Sequence, residues 1–197
     1  MSSDAVDIGE IMASSPRKMD GNDEAALVVQ AVKGDSDAFG VLYIRYMDPI
    51  YRYIFFRIGE ELEAEDLTEE VFVRAWEALP SYQIGEYPFT SWLYRIAHNL
   101  IIDYHRKRKT EKVVDLDLYH SSGQSHEDRL VAKQDAARLA DAIQLLDDEE
   151  QQVLILRFIE GLSHREVALA IGKSEGASRI IQHRAVTALY KYLSNQK

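Results

Sequence analysis

The chain has no cysteine, only four prolines among its 197 residues, and no long apolar run. The missing cysteine removes disulfides and thiolate metal ligands and fits a reducing compartment. No apolar stretch approaches the roughly 20 residues needed to cross a bilayer. The first residues, MSSDAVDIGEIMASSPRKMD, lack a basic segment followed by an apolar core, so a secretory signal is not expected. A cytoplasmic protein with no direct membrane insertion is the expectation. Period-2 alternation is also missing, which argues against sheet. The six histidines (98, 105, 120, 126, 164 and 183) show no metal-ligand spacing such as HExxH, and there is no phosphate-binding glycine loop or nucleophile motif. No catalytic residue, metal site or cofactor is therefore expected, and the chain does not read as an enzyme. Positive charge is in deficit, with 23 Lys and Arg against 33 Asp and Glu and a formal charge of −10. Such a chain is repelled by a polyanion at long range, so any contact with nucleic acid must rest on local patches and on a partner's help.

What is present is helical texture. Residues 1–22 are polar and aperiodic and read as a flexible tail. Leu27, Val28, Ala31 and Val32 recur at helix spacing before a break at Gly34. Ser36 or Asp37 is placed to cap a helix carrying Phe39, Leu42, Tyr43, Tyr46 and Met47. Pro49 fits the first turn of a further helix, with Ile50, Ile54 and Ile58, that stops at Gly59. Asp66–Leu79 carries an apolar stripe of Leu67, Val71, Ala75 and Leu79, with Asp66, Glu69, Glu70 and Arg74 toward the other side. Ser81–Pro88 is a loop rich in Tyr and Gly, and Thr90 or Ser91 is placed to cap the helix that follows. Composition shifts at Thr110 to a polar, acidic stretch read as a linker. Helices then recur over 129–146, after Asp147-Asp148, after Ser163 (with Glu166 forming a capping box) and over 175–193. The fold class is all-α. Its expected organisation is a tail at 1–22, a helical domain at 23–110, a linker at 111–134 and a second helical domain at 135–197.

Two segments carry chemistry. The first, FTSWLYRIAHNLIIDYHRKRK at 89–109, joins aromatics to the unbroken run Arg106-Lys107-Arg108-Lys109. Cations pair with phosphates and rings stack on unpaired bases, so the segment suits nucleic acid. A buried amphipathic helix with a solvated basic end has the same sequence. The second, 163–193, reads as helix, glycine-containing turn, helix: a helix-turn-helix whose second helix enters the major groove, or a plain αα-hairpin. Val167, Ala168 and Ile171 are expected to face inward from its first helix. Ala177, Ile180, Ile181, Ala185 and Leu189 are expected to do so from its second. Arg179, Gln182, His183 and Arg184 then have the reach for bases or phosphates.

Taken together, DLTEEVFVRAWEAL, the 89–109 segment and LLDDEEQQVLILRFIEGLSHREVALAIGKSEGASRIIQHRAVTALYKYL resemble regions 2 and 4 of a bacterial sigma-70 family sigma factor. The short form, with the two regions joined by a linker, is similar to the extracytoplasmic-function (ECF) group. The resemblance implies a region 2 helical bundle and a region 4 helix-turn-helix. It implies binding to the beta-prime and beta subunits of core RNA polymerase, recognition of the −10 and −35 elements of promoter DNA, and promoter melting at transcription initiation. Asp66, Glu69, Glu70 and Arg74 match the polymerase-docking helix. Tyr82, Tyr87 and Phe89 match the platform for melted bases, Asn99 a base-edge contact, and Arg106, Lys107, Arg108 and Lys109 a backbone grip. Arg95 fits either DNA or core, and Trp92 fits the core. Lys173, Ser174, Arg179, Gln182, His183 and Arg184 match the −35 surface. Here the chain departs from the family, with Ser178, Ile180, Ile181 and Gln182 where a Val and a basic-Ser-Arg-Leu run are common. Many members are held inactive by an anti-sigma factor, so such a partner is also expected. The competing class is a helix-turn-helix regulator whose residues 24–109 form a sensor or dimerisation module.

Overall fold

The computed structural model describes residues 21–85, 87–111 and 127–194. Eight α-helices run in order among them: α1 Gly21–Val32, α2 Ser36–Ile58, α3 Glu61–Ala78, α4 Phe89–Glu111, α5 Glu127–Gln144, α6 Asp148–Leu154, α7 His164–Ile171 and α8 Glu175–Ser194. The only pairing of strand type among the described residues is an isolated bridge between Ile84 and Tyr87. The expected all-α class and its two helical units are thus present. The expected tail and most of the linker lie outside the described residues, though α1 begins within the former at Gly21 and α5 within the latter at Glu127.

The first unit is built around α2, which packs against α1, α3 and α4. Its N-cap is Asp35, whose carboxylate accepts from the Asp37 and Ala38 amides, not Ser36 or Asp37 as expected. Aspartate before the first turn satisfies orphan donors directly, and Asp37 lies already inside the helix. Pro49 does not begin a helix either. It lies buried within the continuous α2, where the loss of one ladder donor is offset by burial of Tyr46, Ile50, Tyr53 and Ile54 around it. Helix α3 begins at Glu61, ahead of the expected Asp66, and buries Leu67, Val71, Phe72 and Ala75. Aromatic pairs knit the bundle: Tyr43 meets Phe72 edge-on at 4.8 Å, and Tyr53 meets Tyr94 at 5.1 Å.

The second unit joins α6, a π-helical turn at Ile155–Ile159, α7 and α8. Asp147 caps α6 through the Glu150 amide, and Ser163 with Glu166 forms the capping box of α7, both as expected. The turn between α7 and α8 is set by Gly172 at φ 67°, after which Ser174 Oγ accepts from the Ala177 amide at 3.1 Å. Val167, Ala168, Ile181 and Ala185 fill the space between α7 and α8. Ile180, expected to face inward, is instead 65% exposed. The inner positions of α8 are Ser178, Ile181 and Ala185, spaced i, i+3, i+7, which leaves Ile180 a third of a turn out of phase.

The two units are in contact. Helix α5 and the π-helical turn pack on α2, and α7 packs on α4. At the join, Gly59 closes α2 at φ 76°, with the Gln144 side chain of α5 against its Cα. Replacing Gly59 by alanine is expected to cost about 1–2 kcal/mol through the left-handed backbone. The Gln144 amide is the far end of a flexible side chain and can shift aside. Urea denaturation of Gly59→Ala against the parent checks this, and an unchanged midpoint would show that the turn relaxes to negative φ.

Candidate nucleic-acid interface

Helix α3 exposes the residues that the resemblance assigns to polymerase docking. Asp66, Glu69, Glu70 and Arg74 all lie on the exposed side of α3. Arg74 pairs with Glu70 one turn away and lies 4.0 Å from Asp103. The same side exposes Val73 and Trp76, the latter tilted against Phe39 at 5.0 Å. The Trp76 ring lies at the boundary between the buried stripe and solvent. The helix thus presents charge and apolar surface together.

The loop and α4 hold the aromatic cluster. Tyr82 and Tyr87 are half-buried and linked, the Tyr82 hydroxyl donating to the Tyr87 carbonyl at 2.6 Å. Phe89 is different. It is 3% exposed and enclosed by Tyr46, Tyr82 and Trp92 at centroid distances of 5.7, 5.8 and 5.5 Å. A ring held on three sides has no free face for a base, so Phe89 packs beneath the Tyr82–Trp92 surface and belongs to the core. It opens α4, so its side chain turns back into the bundle. Ser91 does not cap α4: it is buried, its hydroxyl donating to the Glu166 carbonyl at 3.3 Å. Trp92 packs against the core as expected. Asn99 is exposed.

The basic run is not uniform. Arg106 pairs with Asp103 at 2.9 Å, and Arg108 pairs with Glu60 and donates to the Tyr104 hydroxyl at 2.6 Å. Lys107 and Lys109 are exposed. Arg108 therefore ties the end of α4 to the start of α3, and the lysines are the cations with the greatest freedom to meet phosphate.

In the second unit Lys173, Arg179 and Arg184 are exposed, each beside a carboxylate: Glu149 at 2.7 Å, Glu175, and Asp147 at 3.0 Å with Glu150 at 3.1 Å. Exposed pairs of this kind are worth little and exchange readily for another anion. His183 is exposed. Ser174 spends its oxygen as the cap of α8. Gln182 turns inward, its carbonyl oxygen accepting from Arg157 Nε at 3.2 Å, so it braces α8 on the π-helical turn and does not face outward. Read from the sequence, Gln182 has the reach for bases or phosphates beside Arg179, His183 and Arg184. Arg157, 25 positions away, supplied the inward partner.

Sequence reading missed the join between the units. Arg52 of α2 makes a forked pair with Glu160, Nε and Nη2 at 3.0 and 2.8 Å from the two carboxylate oxygens, and the Glu160 side chain is only 2% exposed. Burial raises the Glu160 pKa and the Arg52 guanidinium opposes that shift. Arg57, fully buried, donates to the Tyr53 hydroxyl at 3.1 Å and pairs with Asp148. Arg95 donates to the Leu169 carbonyl at 2.7 Å while stacking 4.3 Å over the Tyr87 ring. The aromatic loop therefore faces Ser163, Arg165, Glu166 and Leu169 of the second unit across a cleft of 780 Å³. A smaller cleft of 260 Å³ lies between His98 and Arg95 on one side and Asp148, Glu149 and Lys173 on the other.

Among the described residues no group of three or more His, Asp or Glu could hold a metal, and no helix is long and apolar enough to cross a membrane. A helical bundle with an aromatic loop and basic helix, followed by a helix-turn-helix, defines a two-part DNA-binding transcription protein. The Sigma-70 region 2 family matches residues 42–111, and the Sigma-70 region 4 family matches 142–191. The chain is 38% identical over 173 residues to the ECF RNA polymerase sigma factor BldN of Streptomyces coelicolor, covering 85% of this chain and 64% of that longer one. It is 34% identical over 177 residues to the ECF RNA polymerase sigma factor SigW of Bacillus subtilis, covering 84% and 94%. In shape it matches CnrH, solved in complex with the cytosolic domain of CnrY, with a TM-score of 0.71 at 27% identity over 89% of this chain and 99% of that one. The chain belongs to the sigma-70 family, in the ECF group.

Two outcomes test the join. Arg52→Ala leaves the buried Glu160 carboxylate without its partner, a loss of about 3–5 kcal/mol when the site stays closed. The units are expected to part, seen as a larger radius of gyration in X-ray scattering. An unchanged radius would mean that the helix packing alone holds the closed form. His98 has its pKa lowered from 6.5, first by burial and then by the Arg57 charge, with Asp148 opposing. A histidine of lowered folded-state pKa supports the fold fully above its unfolded value and loses that support as pH falls below about 6.5. The difference in unfolding free energy between the parent and His98→Gln is expected to shrink on acidification from pH 7.5 to 5.5, and a pH-independent difference would count against it.

Proposed function

We propose that this chain is a sigma subunit that binds core RNA polymerase through α3, carries it to promoters read at a −10 and a −35 element, and assists melting of the former. The observation that carries the reading is the pairing of the two units. A half-buried Tyr82–Tyr87 platform with exposed Asn99 and Lys107 and Lys109 lies on one, and a capped helix-turn-helix with outward Arg179, His183 and Arg184 lies on the other. Rings are worth roughly 1–3 kcal/mol per stacked base and suit melted DNA, whereas a sensor or dimerisation module has no need of them. Lysines on the backbone position the complex, and base edges specify it.

The closed arrangement bears on how this works. The two elements lie about 25 base pairs apart, a span of roughly 80 Å at 3.4 Å per base pair. Two units docked through the Arg52–Glu160 and Arg57–Asp148 pairs cannot reach both at once. Arg95 must also release the Leu169 carbonyl before the aromatic loop is open to a strand. We take the closed form as the resting state and core polymerase as the partner that separates the units. With formal charge −10, the free chain has little tendency to bind DNA by itself. An anti-sigma partner fits the same scheme, since anything that favours the closed form competes with polymerase. A subunit of this kind works where polymerase does, so a cytoplasmic location goes with the reading.

Run-off transcription on genomic fragments with purified core polymerase is the test. Core-dependent start sites are expected, and their absence on every fragment would sink the reading. Asn99→Ala is expected to lower promoter opening about tenfold, by loss of a base contact worth about 1–3 kcal/mol, with core binding unchanged. Lys107→Ala with Lys109→Ala is expected to weaken all promoters alike and to flatten the salt dependence.

A further inference from the structure

The outward side of α8 holds a feature that packing does not explain. Gly176, Ile180, His183 and Thr187, spaced i, i+4, i+7, i+11, are all exposed, while Ser178, Ile181 and Ala185 form the buried side. Ile180, 65% exposed, lies in the middle of that outward stripe and contributes nothing to the core. One turn earlier, Gly176 carries no positive φ, and an added methyl there would meet only Ser174 Oγ, at 4.0 Å. The fold therefore has no need of glycine at this position in the first turn of α8. A bare turn followed by an isoleucine makes a surface that a partner can approach closely and that offers no hydrogen bond of its own.

The flanking charges choose the partner. Lys173, Arg179 and Arg184 lie around the stripe on exposed pairs that phosphate can displace. A cation-bordered helix face of this kind suits the major groove of DNA over an apolar protein surface. Within that groove one base-edge group suits an aliphatic side chain, the 5-methyl of thymine. We propose that Ile180 reads a thymine in the upstream promoter element through its 5-methyl group, with Gly176 admitting the backbone to the distance this contact needs. The inference rests on the sigma-factor reading above and makes it specific. A polar residue at this position would seek a hydrogen bond; Ile180 favours a methyl and disfavours a base pair whose amino group it would desolvate.

The test uses the full chain with core polymerase. Promoters are selected from a duplex library randomised across the upstream block, and each thymine of the selected sequence is then replaced singly by deoxyuridine, which removes the methyl and nothing else. One replacement is expected to weaken holoenzyme binding about fourfold, the equivalent of about 0.8 kcal/mol for one buried methyl-sized group. In Ile180→Ser the same replacement is expected to have no effect, while Ile180→Val retains sensitivity. Because Ile180 is exposed, these variants keep the fold. Indifference to uracil at every position overturns the proposal and leaves the sigma-factor reading intact. A sensitivity that persists in Ile180→Ser overturns it as well, and a loss of core affinity in that variant would assign Ile180 to a protein contact instead. Failure to select any promoter would overturn the parent reading and this one with it.

Discussion

Two arginines of one helix bridge the two units of this molecule, across a join that also shares its apolar core. Arg52 and Arg57 lie on α2, the element around which the first unit is built, and both reach carboxylates of the second unit, Glu160 and Asp148. The arrangement of α7 against α4, the cover over the aromatic loop and the engagement of Arg95 all follow from that docking. Ion pairs suit an interface that must come apart. Burying charge recovers little net stability, but it penalises any near-miss geometry, so the pairs fix one arrangement without making it deep. Apolar packing also runs across the join, since α2, α5, the π-helical turn and α7 share one buried core, and the ion pairs select among its arrangements.

The same economy appears in the cations proposed to meet DNA. Arg108 is tied to Glu60, and Lys173, Arg179 and Arg184 each have an acidic neighbour. Such pairs lower the attraction of the isolated chain to any polyanion. They cost little to exchange for phosphate once polymerase has brought the two together. The net charge of −10 thus acts residue by residue and not only as a bulk field.

Much of the local structure was legible in advance because its causes are local. The Asp147 cap, the Ser163–Glu166 box and the stops at Gly59 and Gly172 each depend on residues within one turn. The Leu67–Val71–Ala75–Leu79 stripe, spaced i, i+4, was buried as its period required. The errors fell where a distant partner decided the outcome. Pro49 looked like a helix start until packing on both sides carried α2 through it. Phe89 looked like a base platform until Tyr46, from another helix, closed over it. Gln182 looked outward until Arg157 drew it in, and Ile180 looked inward until Ser178 took the buried phase.

The amino-acid sequence by itself determined that the chain is helical, that it carries two DNA-suited units in a fixed order, and which family motifs they match. Periodicity, caps and motif spacing are short-range properties, so they survive without coordinates. Only the tertiary structure decided that the units dock, through which arginines, and which side chains remain free to meet DNA. With 33 carboxylates to choose from, nothing in the order of residues pairs Arg52 with Glu160 across 108 positions. That choice belongs to the packing of whole helices, which brings charges together only after their apolar faces have set the distance.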